Sequence, residues 1–196
     1  MYSILNNVTH EKVIQKSRFI VELIKLENID NIKNILNEIK EKYPNANHYC
    51  YGYRFHGMEK ASDDGEPSGT AGMPILNILQ KRDINQVLAI VIRYFGGIKL
   101  GAGGLVRAYS GSIKEALDHS TIMPLIKGYQ VSFGVTYEEQ SSIERQLSQP
   151  YTKTFTEYVT YSTILTEQEL DNLNKEKMIF IEQNDECFFT ETNSFK

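Results

Sequence analysis

The sequence of 196 residues is poor in cysteine, has no tryptophan and contains no long apolar run. Its two cysteines, Cys50 and Cys187, are too few and too far apart for a disulfide framework or a zinc site built from cysteines. No apolar run approaches the ~20 residues of a membrane span, and the first residues lack the pattern of a signal peptide. We therefore expect a cytoplasmic protein without membrane contact.

The overall composition is that of a globular protein, with 41% hydrophobic and 23% charged residues. The net charge of −4 hides an asymmetry along the chain. Residues 1–127 have 16 Lys and Arg against 13 Asp and Glu, a net charge of +3, whereas residues 128–196 have 5 against 12, a net charge of −7. This contrast predicts two domains, 1–127 and 128–196, that meet different partners.

Apolar patterns predict the elements of the first domain. A continuous apolar run from Val87 to Ile92 is typical of a buried central strand. An apolar stripe at helical spacing begins at Ile29 and is stopped by Pro44, and a second stripe predicts a helix from about Gly104 to His119. The remaining strands are predicted at residues 2–8, 11–15, 18–26 and 46–55.

The second domain shows a different order of patterns. Strands are predicted at residues 129–137, twice within 151–165 with a turn near Glu157, and at 178–190. Helices are predicted at 138–148 and after Thr166, which forms a capping box with Glu169. The resulting order, β-α-β-β-α-β, indicates a ferredoxin-like module and an α+β fold class for the chain.

Glycine is concentrated in the first domain, where 11 of the 13 glycines lie between Gly52 and Gly111. They cluster in residues 62–72, the first glycine-rich segment, and residues 93–107, the second glycine-rich segment. Dense glycine indicates tight turns and close packing, or a cradle of backbone amides that binds an anion at a helix N-terminus.

Charge favours the anion cradle, because no acidic residue lies between Asp83 and Glu115. Arg107 falls in the first turn of its predicted helix, where the macrodipole disfavours a cation unless an anion also binds. The segment matches neither the Walker loop nor the dinucleotide fingerprint, so we expect no cofactor. The candidate phosphate- or nucleic-acid-binding residues are Arg93, Gly96, Gly97, Lys99, Gly101, Gly103, Gly104 and Arg107.

The first glycine-rich segment supplies candidate acids and bases. His48, Asp63, Asp64 and Glu66 can act in acid–base catalysis, or they can satisfy the amides of a turn. Their spacing does not match a zinc motif, and we expect no metal. Cys50 and His48 share a strand face and can form a nucleophilic pair, or Cys50 can be a buried core residue. Likewise, Tyr49, Tyr51 and Tyr53 can stack on bases or form a core face.

Two long motifs identify a family resemblance. Ser62-Asp63-Asp64-Gly65-Glu66-Pro67-Ser68-Gly69-Thr70-Ala71-Gly72 is the first, and the second joins Arg93-Tyr94-Phe95-Gly96-Gly97-Ile98-Lys99-Leu100-Gly101 to Gly103-Gly104-Leu105-Val106-Arg107-Ala108-Tyr109. Together with Ser17-Arg18-Phe19 and Ala46-Asn47-His48, they closely resemble the YigZ/IMPACT family over about residues 15–120.

The resemblance implies a fold and a function. The first domain is expected to be similar to the second domain of a small-subunit ribosomal protein, and the second domain to the last domain of elongation factor G. Eukaryotic relatives act in translational control and restrain the amino-acid starvation response, a stress response. We expect this chain to lack their extra N-terminal module, and we therefore do not expect their role in the kinase pathway to transfer directly.

Two hypotheses of function follow. The first is a regulator of translation without enzymatic activity that binds RNA, the ribosome or a translation factor through the glycine-rich basic surface. The second is a hydrolase or other enzyme that acts on a small phosphorylated or peptide ligand between the two glycine-rich segments. A protein–protein inhibitor that binds no nucleic acid is a third alternative.

Overall fold

The computed structural model describes residues 1–173 and 175–190, apart from the side chain of Asp185. It divides into two compact units, Met1–Met123 and a second that begins at Pro124. This division falls just before the boundary predicted between residues 127 and 128, inside the long strand β7 (Ile122–Val135). No helix in the described residues is both long enough and apolar enough to cross a membrane.

Unit 1 is a five-stranded antiparallel sheet with helices on both faces. The strand order is β2-β3-β6-β4-β5, so the apolar run at 87–92 forms the central strand, as its pattern predicted. The elements are β1 (Tyr2–Ile4), β2 (Val8–Ile14), β3 (Ser17–Lys25), α1 (Ile32–Lys42), β4 (His48–Phe55), β5 (Met58–Ser62), α2 (Gly72–Lys81), β6 (Val87–Tyr94) and α3 (Gly101–Asp118).

Alternation along β6 sends side chains into two cores. Val87, Ala89 and Val91 face α2 and α3, whereas Leu88 and Ile90 face α1. Both faces of the strand are therefore buried, which explains its continuous apolar run. The tyrosines at positions 49, 51 and 53 pack partly buried on the α1 side.

Unit 2 has the predicted element order β-α-β-β-α-β around one antiparallel sheet, in the strand order β8-β9-β7-β10. Alternate residues of β9, such as Val159 and Tyr161, are buried in a core with Ile143 of α4 and Leu170 of α5. The capping box of Thr166 and Glu169 is present. The remaining elements are α4 (Gln140–Glu144), β8 (Tyr151–Phe155), β9 (Val159–Leu165), α5 (Glu167–Asn172) and β10 (Met178–Thr190).

The elements β5, α2, α3 and α4 differ from the predictions. β5 and α2 were not predicted, and α4 is shorter than the predicted helix over 138–148. α4 ends early because the Gln146 N–H donates to the Ile143 carbonyl, a three-residue spacing that tightens the turn. α3 begins at Gly101 instead of Gly104, which places Arg107 in its second turn and corrects the predicted first-turn position.

Candidate functional site

A buried ion pair connects the two glycine-rich segments of unit 1. Glu66 Oε1 accepts hydrogen bonds from Arg93 Nη1 at 2.5 Å and from Tyr109 Oη at 2.7 Å. Glu66 and Arg93 are 8% and 5% exposed. The guanidinium also lies over the Phe19 ring, 5.4 Å from its centroid. Glu66 therefore holds the first segment against β6 and α3.

The carboxylate of Asp63 binds backbone N–H groups of its own loop. It accepts hydrogen bonds from the N–H groups of Gly69 at 2.8 Å, Ala71 at 3.0 Å and Gly72 at 2.8 Å. Although Asp63 lies several residues before α2, it therefore caps the start of this helix. Burial alone would raise the pKa of Asp63, but these three N–H donors outweigh it and hold the pKa below its usual value. Asp63 is therefore engaged as a structural anion.

His48 is oriented by Asp64 and faces Glu66. The His48 Nδ1–H donates to the Asp64 carbonyl at 2.9 Å, since a carbonyl oxygen only accepts. The Asp64 carboxylate in turn accepts the Tyr49 N–H at 2.6 Å. His48 Nε2 lies 3.9 Å from Glu66 Oε1. Of the four candidate acid–base residues, the structure therefore brings His48 and Glu66 face to face and engages the carboxylates of Asp63 and Asp64 with backbone.

Cys50 is a core residue, so of its two interpretations the structure favours the buried core residue over the Cys–His nucleophile. Its Sγ donates to the Asp63 carbonyl at 3.0 Å and lies 3.4 Å from Tyr109 Oη. Burial raises the pKa of Cys50 to about 12, which leaves almost no thiolate at neutral pH. The small thiol fills the space below the ion pair, in accordance with the alternative interpretation.

The second glycine-rich segment begins with glycines that the backbone requires. A Cβ on Gly96 would lie 2.0 Å from the carbonyl carbon and oxygen of Lys16, in the turn between β2 and β3. Gly97 and Gly101 have φ of +85° and +69°. A Cβ on Gly104 would lie 3.0 Å from Leu100 Cβ. These four glycines serve the fold.

Gly103 has no comparable reason to be glycine. It is exposed within α3, its φ is not positive, and its Cβ would meet only Arg107 Nη1, at 3.6 Å. Gly103 lies in the first turn of α3, and a glycine there costs at most the roughly 0.5–1 kcal/mol that separates glycine from alanine in a helix interior. Glycine at this position therefore lowers the stability of the helix and leaves the backbone of its first turn accessible.

Arg107 is distinguished by its lack of an ion pair. Four of the five arginines of unit 1 pair with a carboxylate, whereas the described residues offer Arg107 none. The described residues also offer no ion pair to Lys99. The start of α3 has neither a side-chain cap nor an acidic residue in its first turn, so its N–H groups add to the positive potential.

Apolar side chains are exposed in the same segment. Phe95, Ile98 and Val106 are 45%, 41% and 38% exposed. Combined with Lys99 and Arg107, they give this part of the chain both cationic and apolar contacts. This mixture is typical of surfaces that bind nucleic acid or protein.

Two residues of the site were not predicted. Ser17 Oγ accepts the Gly96 N–H at 3.2 Å and lies 3.4 Å from Arg93 Nη2. Tyr109 was assigned only to the apolar face of α3, yet its hydroxyl binds Glu66. For Tyr109 the available signal was a hydroxyl group on the apolar face of a helix, whereas Ser17 precedes the predicted strand at 18–26 and gave no such signal. In the part of the chain that the structure describes, no three His, Cys, Asp or Glu side chains are arranged to hold a metal ion.

The chain is similar to known proteins of one family. The family model of the Impact N-terminal domain matches residues 15–117, which include both glycine-rich segments. The chain belongs to the IMPACT family. The resemblance found in the two motifs is thereby confirmed.

Similarity to IMPACT family members extends beyond the matched domain. IMPACT family member YvyE of Bacillus subtilis (strain 168) is 41% identical over 167 residues, which are 82% of this chain and 77% of that protein. IMPACT family member YigZ of Escherichia coli (strain K12) is 35% identical over 147 residues, 72% of each chain. A solved structure of a hypothetical protein is similar with a TM-score of 0.65 at 28% identity, over 89% of both chains.

Proposed function

We propose that this IMPACT family protein is a cytoplasmic regulator of translation that binds RNA or the ribosome through the second glycine-rich segment. The observation that carries the proposal is Arg107, which lies unpaired among the described residues beside the open position of Gly103 at the uncapped start of α3. The translational role of eukaryotic relatives supports the choice of partner, and a role in the stress response follows from the same resemblance.

The residues of this surface make different contacts in the proposed complex. Lys99 and Arg107 neutralise phosphate, and the N–H groups at the start of α3 donate to phosphate oxygens. Phe95, Ile98 and Val106 contact the apolar faces of bases. Arg93 is a positioning residue, because its pairing with Glu66 removes it from the list of direct phosphate ligands.

The finer fold likeness belongs to the same proposal. Unit 1 would be similar to the second domain of a small-subunit ribosomal protein, and unit 2 to the last domain of elongation factor G. The element order and antiparallel sheet of unit 2 support the latter. Its negative charge favours contact with a basic protein, such as a translation factor, over contact with RNA.

The experiment is co-sedimentation with purified ribosomes, and binding to ribosomal RNA, across a salt series. The variant Lys99→Glu/Arg107→Glu is compared with Lys33→Glu/Lys60→Glu, which makes the same charge change at exposed positions elsewhere in unit 1. The affinity of the first variant should fall at least tenfold, with a salt dependence that is weaker by about 0.7 per lost contact to single-stranded RNA. Equal losses in both variants, or no binding by the natural chain, would refute the proposal.

A second candidate function, an enzyme acting on a small phosphorylated or peptide ligand, rests on the arrangement of His48 and Glu66. The Nε2 atom of His48 is directed at a carboxylate 3.9 Å away and retains a lone pair when the ring is neutral. Hydrolysis of a panel of phosphoesters and peptides that is lost in His48→Gln and kept in Lys99→Glu/Arg107→Glu would establish it. Turnover that is absent from the natural chain would exclude it.

A further inference from the structure

The strand β8 of unit 2 has one side that no described strand covers. β8 lies at the end of its sheet and pairs with β9 alone among the described strands. All five of its residues are exposed. An edge strand presents a row of backbone N–H and C=O groups that can pair with a further strand. β8 therefore offers a template to which a strand can be added.

The two edge strands of unit 1 are protected by charge, whereas β8 is not. At the centre of β2, Glu11 stands beside Lys12. In β5, Glu59 likewise stands beside Lys60. Charged side chains on edge strands oppose the pairing of one edge with another. In β8 only Lys153 is charged, and its neighbours are threonine and aromatic residues, which favour strands.

The aromatic side chains at the two ends of β8 are exposed and already held in place. Tyr151 and Phe155 are 36% and 55% exposed. The Tyr151 ring packs edge-on against Tyr161 with 5.4 Å between centroids, and the Phe155 ring stacks on Tyr137 at 6.4 Å. Alternate residues of a strand share a face, so both rings lie on one side of the sheet. Rings that neighbours already hold lose little conformational freedom when they meet a partner.

The residue types of β8 read the same in both directions about Lys153. Tyr151-Thr152-Lys153-Thr154-Phe155 has an aromatic residue at each end and a threonine on each side of the lysine. When two copies pair antiparallel about a two-fold axis at Lys153, Tyr151 lies opposite Phe155 of the second copy. Thr152 then lies opposite Thr154 of the second copy. Aromatic pairs and threonine pairs across strands both stabilise a sheet.

The same axis brings the two copies of Lys153 together, but each is balanced within its own chain. Like charges directly opposite each other destabilise a sheet. Lys153 Nζ donates to Glu144 Oε1 at 2.8 Å and lies 5.6 Å from the centroid of the Phe155 ring. Each lysine therefore brings its own counter-ion to the axis, and the pairing of two copies leaves no charge there without a partner.

We propose that β8 pairs antiparallel with β8 of a second copy of this chain, in the register centred on Lys153. The sheet of unit 2 then continues into the sheet of the second copy. A contact through one short strand falls below the roughly 1,000 Å² that stable interfaces bury, so the association is reversible and depends on protein concentration. It uses neither Lys99 nor Arg107, and it holds or fails independently of the RNA contact proposed above.

Sedimentation velocity of the full chain, over a concentration series that reaches the millimolar range, measures the association. The average mass should rise with concentration toward that of two chains. A chain that remains monomeric over the whole series overturns the proposal, and a strand of another protein then becomes the better occupant of the β8 edge.

Variants test the register. Tyr151→Lys and Phe155→Glu each break both aromatic pairs of the dimer, and each should weaken the association about tenfold. In an equimolar mixture of the two variants, the register places the new lysine opposite the new glutamate and keeps one aromatic pair. The mixture should therefore associate several-fold more tightly than either variant alone.

The matched control is Val13→Lys on the edge strand β2, where Val13 is 66% exposed. This variant should associate like the natural chain. If Tyr151→Lys does not fold, Phe155→Glu at the more exposed position decides alone. The proposal is overturned if Phe155→Glu associates normally, if Val13→Lys loses as much as Phe155→Glu, or if the mixture gains nothing over the separate variants.

Discussion

The two glycine-rich segments of unit 1 carry opposite charges, and the fold satisfies these charges to different extents. In the first segment, Asp63 is surrounded by backbone donors, and Glu66 is buried against Arg93. In the second, Lys99 and Arg107 have no ion-pair partner among the described residues, and a Cβ on Gly103 would meet only the end of the Arg107 side chain. The charges of the first segment are thus satisfied within unit 1, whereas Lys99 and Arg107 of the second segment are left for a partner.

This difference shows that glycine density alone does not locate a contact surface. Gly72 and Gly96 are glycines because a Cβ would collide with the backbone of Ser62 and of Lys16, respectively. A Cβ on Gly103 makes no such approach, so the fold does not require glycine there, and Gly103 lies beside Arg107, which is unpaired among the described residues. The predictions below test this difference.

The largest expected loss of stability follows from a change at Glu66, which anchors the first glycine-rich segment to β6 and α3. Glu66→Gln leaves the Arg93 charge buried without a counter-ion, and breaking a buried pair in this way costs about 3–5 kcal/mol of unfolding free energy. Urea unfolding of the full chain, followed by signals from unit 1, measures the loss.

The matched control is Glu144→Gln in unit 2. Glu144 accepts from Lys153 at 2.8 Å, and this bond is the main reason that the pKa of Glu144 is lowered to about 2. Because the pair is partly exposed, its loss should cost less than about 1 kcal/mol. Similar losses in the two variants would contradict the view that burial makes Glu66 the anchor.

A collision is expected at Gly96. In Gly96→Ala the new Cβ would meet the Lys16 carbonyl at 2.0 Å, and the backbone must move to relieve the contact. Overpacking of this kind costs about 1–3 kcal/mol. Thermal unfolding of this variant and of the natural chain measures the loss. An unchanged melting temperature would show that the turn between β2 and β3 can move away from the new Cβ at no cost in stability.

Removal of the cap that Asp63 supplies should cause a smaller loss of stability, and this loss should depend on pH. Asp63→Ala removes the carboxylate that accepts from three backbone N–H groups, and loss of a helix cap costs about 1 kcal/mol. The folded pKa of Asp63 is lowered, so its contribution is full above the unfolded value of about 3.9 and is lost as the pH falls through the folded value. The stability difference between the two proteins, measured at neutral pH and then below pH 3.9, should shrink. A difference that grew on acidification would give the opposite sign.

The smallest expected effect has the opposite direction. Gly103→Ala should stabilise the chain by at most about 1 kcal/mol, because alanine favours the helix even in its first turn and the new Cβ meets only the flexible end of Arg107. Denaturant unfolding gives the value. A destabilised variant would show that Gly103 serves the fold after all.

The sequence was most informative where a pattern repeats along one element. The run from Val87 to Ile92 and the capping box at Thr166 predicted structure because local spacing decides both. β5 was missed because its five residues are mostly exposed and do not alternate. α2 was missed although Ile75 and Leu79, both buried and four residues apart, carry the helical spacing.

The site was harder to predict, because its contacts join residues far apart in the chain. His48, Asp63, Asp64 and Glu66 were named as a group, but only the fold shows that Asp63 caps α2 while His48 faces Glu66. The register of β6 beside β4 places His48 opposite Arg93, the residue that pairs with Glu66. No local pattern encodes that register.

The most direct test of the central claim is ribosome binding by Gly103→Ala, with Gly111→Ala as the control. Both positions lie in α3, and a Cβ on Gly111 would make only an ordinary contact, 3.8 Å from Lys12 Nζ. Both variants should fold at least as stably as the natural chain. Binding should fall several-fold in Gly103→Ala alone, because its methyl group fills the space left for the partner. Full binding by a stabilised Gly103→Ala variant would contradict the claim that the second segment is the contact surface.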